Sequence, residues 1–126
     1  MREIRFSYMC QHDETGRWID LRYTLDEIEN GNVARDIELV PRFQIIARRQ
    51  YIGIKDKNGV EICEGDICVN GTGRIAKCIY HVPSASFDFV ALNAIGVQHG
   101  YLPEYKLTVI GNIYENPELL NRESDR

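Results

Sequence analysis

The chain has 126 residues, a formal net charge of −4, and hydrophobic and charged fractions of 44% and 27%. These are the figures of one ordinary globular domain, large enough to bury about two-thirds of its unfolded surface without a disulfide or metal. The acidic balance argues against a dedicated nucleic-acid binder, whose footprint is a basic domain or stripe. No run of about 18 apolar residues is present, and the start, Met1-Arg2-Glu3-Ile4-Arg5, lacks the apolar core of a signal peptide. The expectation is therefore a cytoplasmic protein with no membrane segment, whose cysteines Cys10, Cys63, Cys68 and Cys78 are free thiols.

Residues 3–9 alternate, with Ile4, Phe6 and Tyr8 on one face, the pattern of a half-buried strand. After a turn-rich stretch from His12 to Gly16, residues 17–23 resume an extended pattern with Trp18 opposite in phase to Ile19 and Leu21, which predicts a first hairpin. Thr24-Leu25-Asp26-Glu27 has the form of a capping box and predicts a short helix ended by Gly31. Ile37-Glu38-Leu39-Val40 reads as a brief strand stopped by Pro41. Residues 43–51 carry good helix formers but run directly into Tyr51 and Ile52, which favours strand. Within them Arg48 and Arg49 are the only adjacent basic pair in the chain.

Residues 51–69 organise the remainder. A two-residue turn at Asn58-Gly59 would leave Ile62 facing Lys55, whereas a three-residue loop, Lys57-Asn58-Gly59, sets Ile54 opposite Ile62. The second register pairs apolar with apolar, with Asp56 at the first position of a type I turn and Gly59 at the left-handed position that closes it. Glu64-Gly65-Asp66 then forms a second turn, with Gly65 suited to a positive φ and Asp66 to a hydrogen bond with its own backbone.

Further strands are predicted at residues 74–81, 87–92 and 106–114. The last is interrupted by Gly111, a sign of a bulge or a close backbone approach. Residues 93–103 form a longer loop and are a default binding surface. Asn116 as cap and Pro117 at the first helical position predict a final helical turn, and residues 121–126 a frayed tail. Five or six short strands joined by glycine turns need their edges closed, and a small barrel satisfies that need.

The chemistry-bearing residues form no recognised site. His12, His81 and His99 are scattered, and Cys78 and His81 lie three apart on one strand and so on opposite faces. The cysteine spacing matches no structural zinc pattern, and no phosphate loop or nucleophile elbow is found. The expectation is no catalytic residue, no metal and no cofactor.

Two long motifs in order, residues 51–67 with Tyr51-Ile52-Gly53-Ile54-Lys55-Asp56-Lys57-Asn58-Gly59, and residues 109–120 with Val109-Ile110-Gly111-Asn112-Ile113-Tyr114-Glu115-Asn116-Pro117, closely resemble the YopX family of phage and prophage proteins. The opening Arg2-Glu3-Ile4-Arg5-Phe6 fits as well. The resemblance implies a phage or prophage gene product of uncharacterised activity. It also implies a mainly β fold in which residues 51–120 form a small SH3-like barrel and residues 1–50 an N-terminal hairpin and short-helix extension, all as one domain.

The expected function is a non-catalytic module that binds a protein partner or assembles with its own copies. An alternative is a nucleic-acid-binding accessory protein using Arg48, Arg49, Lys55, Lys57, Arg74 and Lys77 with Tyr51 and Tyr80. Interleaved Asp56, Glu61, Glu64 and Asp66 leave that region nearly neutral, so nucleic acid is not supported by charge. A second alternative, a small enzyme, needs a pocket converging on a histidine or cysteine.

Overall fold

The computed structural model describes residues 3–71, 73–92 and 107–120. The expected loop at residues 93–103 and the tail at residues 121–126 lie outside the described residues. The chain is mainly β and divides into two compact units, Met1–Tyr51 and Ile52–Arg126. Its elements are β1 (Arg5–His12), β2 (Trp18–Thr24), α1 (Leu25–Glu29), α2 (Asn32–Glu38), β3 (Phe43–Lys55), β4 (Glu61–Cys63), β5 (Asp66–Val69), β6 (Ile75–His81), β7 (Ser86–Ala91) and β8 (Thr108–Asn112). Two four-stranded sheets run in the orders β2-β1-β3-β4 and β7-β6-β5-β8. Among the described residues no helix is long and apolar enough to cross a membrane.

In the first unit, β1 pairs antiparallel with both β2 and β3, from Phe6↔Tyr23 and Phe6↔Gln50 outwards. The predicted hairpin is present, but β1 is not half-buried: Ser7, Tyr8, Met9 and Cys10 are all buried. Alternation places Phe6, Tyr8 and Cys10 on one face and Ser7 and Met9 on the other. On that second face, Ser7 is enclosed by its polar contacts with Asp20 and Arg49 on the neighbouring strands. On the apolar face Tyr8, Cys10 and Tyr23 pack with Phe6, Ile19, Leu21, Ile28, Val33 and Ile37.

The capping box forms, with Thr24 Oγ1 accepting the Glu27 N–H (3.2 Å) and Glu27 Oε1 accepting the Thr24 N–H (2.8 Å). Gly31 follows at φ 82° and the chain re-enters a helix, α2. The expected strand at Ile37-Glu38-Leu39-Val40 is therefore wrong. Val33 and Ile37, four apart on one helical face, both pack on the sheet, and that burial outweighs the strand preference of a short β-branched run. The strand expected at residues 43–51 is found and extends to Lys55. A bulge against Met9 and Cys10 leaves Ile46 as the extra residue, since Met9 pairs with Ala47 and Cys10 with Ile45.

In the second unit, the end of β3 turns into β4. The Asp56 N–H donates to the Val60 carbonyl (2.7 Å) and the Gly59 N–H to the Asp56 carbonyl (3.0 Å), with Gly59 at φ 83°. This is a type I turn closed by a left-handed glycine, in the three-residue register that sets Ile54 opposite Ile62. Ile52, Ile62, Cys68, Ala76, Cys78, Phe89 and Leu107 form one core cluster. Ile67, Ile75 and Leu92 form another, on the other face of β5, with Val69, Ile113, Leu119 and Leu120 packed against it. Among the described residues no continuous ladder closes these sheets into a barrel.

Candidate functional site

The polar residues of the two motifs converge on β8 and its surroundings. Asp56 leaves the β3–β4 turn with its carboxylate fully engaged by backbone: Oδ1 accepts the Asn58 and Val60 N–H groups (2.8 and 2.9 Å). Oδ2 accepts the Val109 N–H (2.9 Å), and the neighbouring Lys57 N–H donates to the Leu107 carbonyl (3.0 Å). Burial alone would raise the pKa of Asp56, but the three N–H donors outweigh it and hold the carboxyl below its ordinary value.

At the far end of β8, the Asn112 N–H donates to Asn116 Oδ1 (3.1 Å) and the Asn116 N–H to the Asn112 carbonyl (2.9 Å). Asn112 Oδ1 in turn accepts the Tyr114 and Glu115 N–H groups (3.0 and 2.8 Å), and its amide nitrogen donates to Glu115 (2.8 Å). Asn116 does precede a helical turn begun by the exposed Pro117, and its carbonyl accepts the Leu119 N–H (3.0 Å). Its side chain, however, reaches back to β8. Gly111 adjoins the bulge its position suggested, and what approaches it closely is a side chain rather than backbone. Ile67 pairs with Gly111 and Cys68 with Val109, leaving Ile110 as the extra residue of a bulge, and Asn116 lies directly over Gly111.

The turn at residues 64–66 joins the same region. Gly65 has φ 88°, its N–H donates to the Cys78 carbonyl (2.8 Å) and its carbonyl accepts the Ile113 N–H (2.9 Å). Asp66 Oδ2 accepts the Cys63 N–H (2.8 Å), while Glu64 is half-buried beside it. Of the motif residues, Asp56, Asp66 and Asn116 thus hold backbone N–H groups with their side chains, Gly59 and Gly65 supply left-handed turn positions, and Asn58 and Gly111 take part through their backbone alone.

The six basic candidates divide between the units. Arg48 is exposed over the Phe6 ring (5.2 Å), but Arg49 is 5% exposed and donates to Ser7 Oγ (3.3 Å). Ser7 itself donates to Asp20 (2.5 Å), so Arg49 belongs to a buried polar group. Lys55 and Lys57 are exposed, and Arg74 and Lys77 half-buried, in the second unit. Tyr51 is buried with Arg5 and Arg22 guanidinium groups over its ring (5.1 and 5.8 Å), so of the two candidate tyrosines Tyr80 alone is exposed.

The titratable groups are similarly occupied. His12 Nδ1 accepts the Glu14 and Thr15 N–H groups (3.2 and 3.0 Å), and His81 Nδ1 meets Ser84 Oγ (2.7 Å) in the β6–β7 turn. His99 lies outside the described residues. All four cysteines are buried and none is in a disulfide. Burial pushes Cys68 up to about 12, and pushes Cys10 and Cys78 up as well. Tyr23 donates to Asp36 (2.8 Å), and burial together with that carboxylate raises its pKa. Among the described residues no group of three or more acidic, histidine or cysteine side chains is placed to hold a metal ion.

Asn112, Ser7 and Asp20 were not singled out from sequence. Asn112 had a legible signal, an Asx residue ending a strand just before a turn. Ser7 and Asp20 had none, because their pairing depends on the β1–β2 register.

Comparison with known proteins agrees with the motifs. A family model described as YopX protein matches residues 3–121. No curated protein matches. A similar solved structure is the crystal structure of protein EF1440 from Enterococcus faecalis, at 24% identity and a TM-score of 0.43, with 90% of this chain and 74% of that one covered. The family match takes in both motifs and nearly the whole length, and the chain belongs to the YopX family.

Proposed function

We propose that this chain is a phage- or prophage-encoded, non-catalytic module of the host cytoplasm that acts by binding a protein partner or further copies of itself. The observation that carries this reading is the pair Ile45 and Ile46 on β3, 45% and 48% exposed. Neighbouring strand residues normally alternate between faces, but Ile46 is the extra residue of the β3 bulge, and two exposed isoleucines there are the kind of apolar surface an interface covers. Supporting it, the polar side chains of the family motifs serve the backbone, and the described thiols and imidazoles are buried or held in turns.

The second unit is further read as an SH3-like barrel, in which the Asp56 and Lys57 contacts to β8 stand where a ladder would otherwise close the sheet. Native mass spectrometry of untagged protein from a bacterial host tests the main reading. Added protein mass or a defined multimer, lost in Ile45→Lys/Ile46→Lys, is the expected result. A bare monomer at high concentration, or an assembly indifferent to both substitutions, contradicts it. Bound nucleic acid released by salt would instead favour the remaining basic residues as the working surface.

A further inference from the structure

The outer side of β8 is masked at both ends by side chains. Val109 and Asn112 oppose Cys68 and Asp66 of β5, with the bulge between them, and both turn their N–H groups away from β5. An edge strand with free N–H and C=O groups is a template for another chain. Here Asp56 takes the Val109 N–H and Lys57 the Leu107 carbonyl, while Asn116 takes both the N–H and the C=O of Asn112. Neither cap is a strand: in each, a side-chain oxygen holds the N–H while a turn residue's backbone N–H holds the carbonyl, so removing the side chain frees the N–H and leaves β8 in place.

We propose that Asp56 and Asn116 form a two-ended cap that keeps β8 from pairing edge to edge with the β8 of a second copy. The segment Thr108-Val109-Ile110-Gly111-Asn112 carries no charged side chain, so nothing within it repels an identical antiparallel strand. A pairing of β8 with β8 is isologous and closes as a dimer. Ile110, 38% exposed, adds an apolar side chain to that edge. This cap is independent of the Ile45 and Ile46 surface, so either can fail without the other.

The test uses the full chain carrying Ile110→Cys as a cross-linking reporter, with Asp56→Ala, Asn116→Ala and both together. The native cysteines are buried and do not compete. Each variant is checked for folding by circular dichroism, then sized by light scattering and oxidised. The reporter chain with both caps intact is expected to give no disulfide between copies. The folded double variant is expected to double in mass with concentration relative to that parent and to cross-link through the reporter thiol. A cross-link in the parent shows an unmasked edge and overturns the proposal. So does a folded double variant that keeps the parent's mass without a cross-link. If the double variant does not fold, Asn116→Ala alone decides, with a partial shift in mass and cross-linking supporting the cap and none refuting it.

Discussion

The Asn116 side chain lies over Gly111, its Cγ 2.7 Å and its Cβ 3.1 Å from the point where a β-carbon on Gly111 would stand. The side chain is held there by the Asn112 N–H, so it does not swing away without loss. Gly111→Ala should therefore cost about 2 kcal/mol or more in urea unfolding, as an overpacked site with a broken hydrogen bond. Adding Asn116→Gly removes the obstructing atoms, and the double variant should lose less than the sum of the two single losses. Simple additivity would show that the two residues do not meet.

Asp56 links stability to pH. Its folded-state pKa is depressed, so its contribution is present above the unfolded value of about 3.9 and is lost as pH falls through the lower folded value. Asparagine offers one oxygen where three N–H donors use two, so Asp56→Asn should cost about 1–3 kcal/mol at neutral pH. The gap between wild type and Asp56→Asn should stay flat above about pH 5 and narrow below about pH 4. Denaturant melts across that range measure it, and a gap that widens on acidification would contradict the assignment.

Arg48 and Arg49 are adjacent in sequence and opposite in role. Arg49 is buried against Ser7, and Arg49→Ala should destabilise by about 2 kcal/mol or more. Arg48 is exposed over Phe6, and Arg48→Ala should change stability by less than about 1 kcal/mol. Equal effects in denaturant unfolding would refute the division.

The thiols of Cys10, Cys63, Cys68 and Cys78 should resist an aqueous thiol reagent at pH 8 in the folded protein and react fully on unfolding. Burial and a pKa of about 12 for Cys68 both keep the thiolate scarce. Rapid labelling of any native cysteine would contradict this burial.

Local patterns were legible in the sequence where one interaction decided them. The Thr24–Glu27 capping box, the three-residue loop ending at Gly59 and the bulge at Gly111 each follow from a few neighbouring residues, and each is found. The second helix was hidden because Val33 and Ile37 declare a helical face only when a sheet is present to receive it. Asp56 read as a turn residue, which it is. Its bond to Val109, 53 positions away, needed the path of the chain. The same limit applied to Arg49, whose burial follows from its pairing opposite Ser7.

The most direct test of the claim that the motif side chains hold backbone is amide hydrogen exchange in wild type and Asp56→Ala. Loss of the carboxylate should speed exchange at Val109, Asn58 and Val60 by about tenfold, while Asn112, bonded to Asn116, keeps its protection. Unchanged exchange at Val109 would contradict the account.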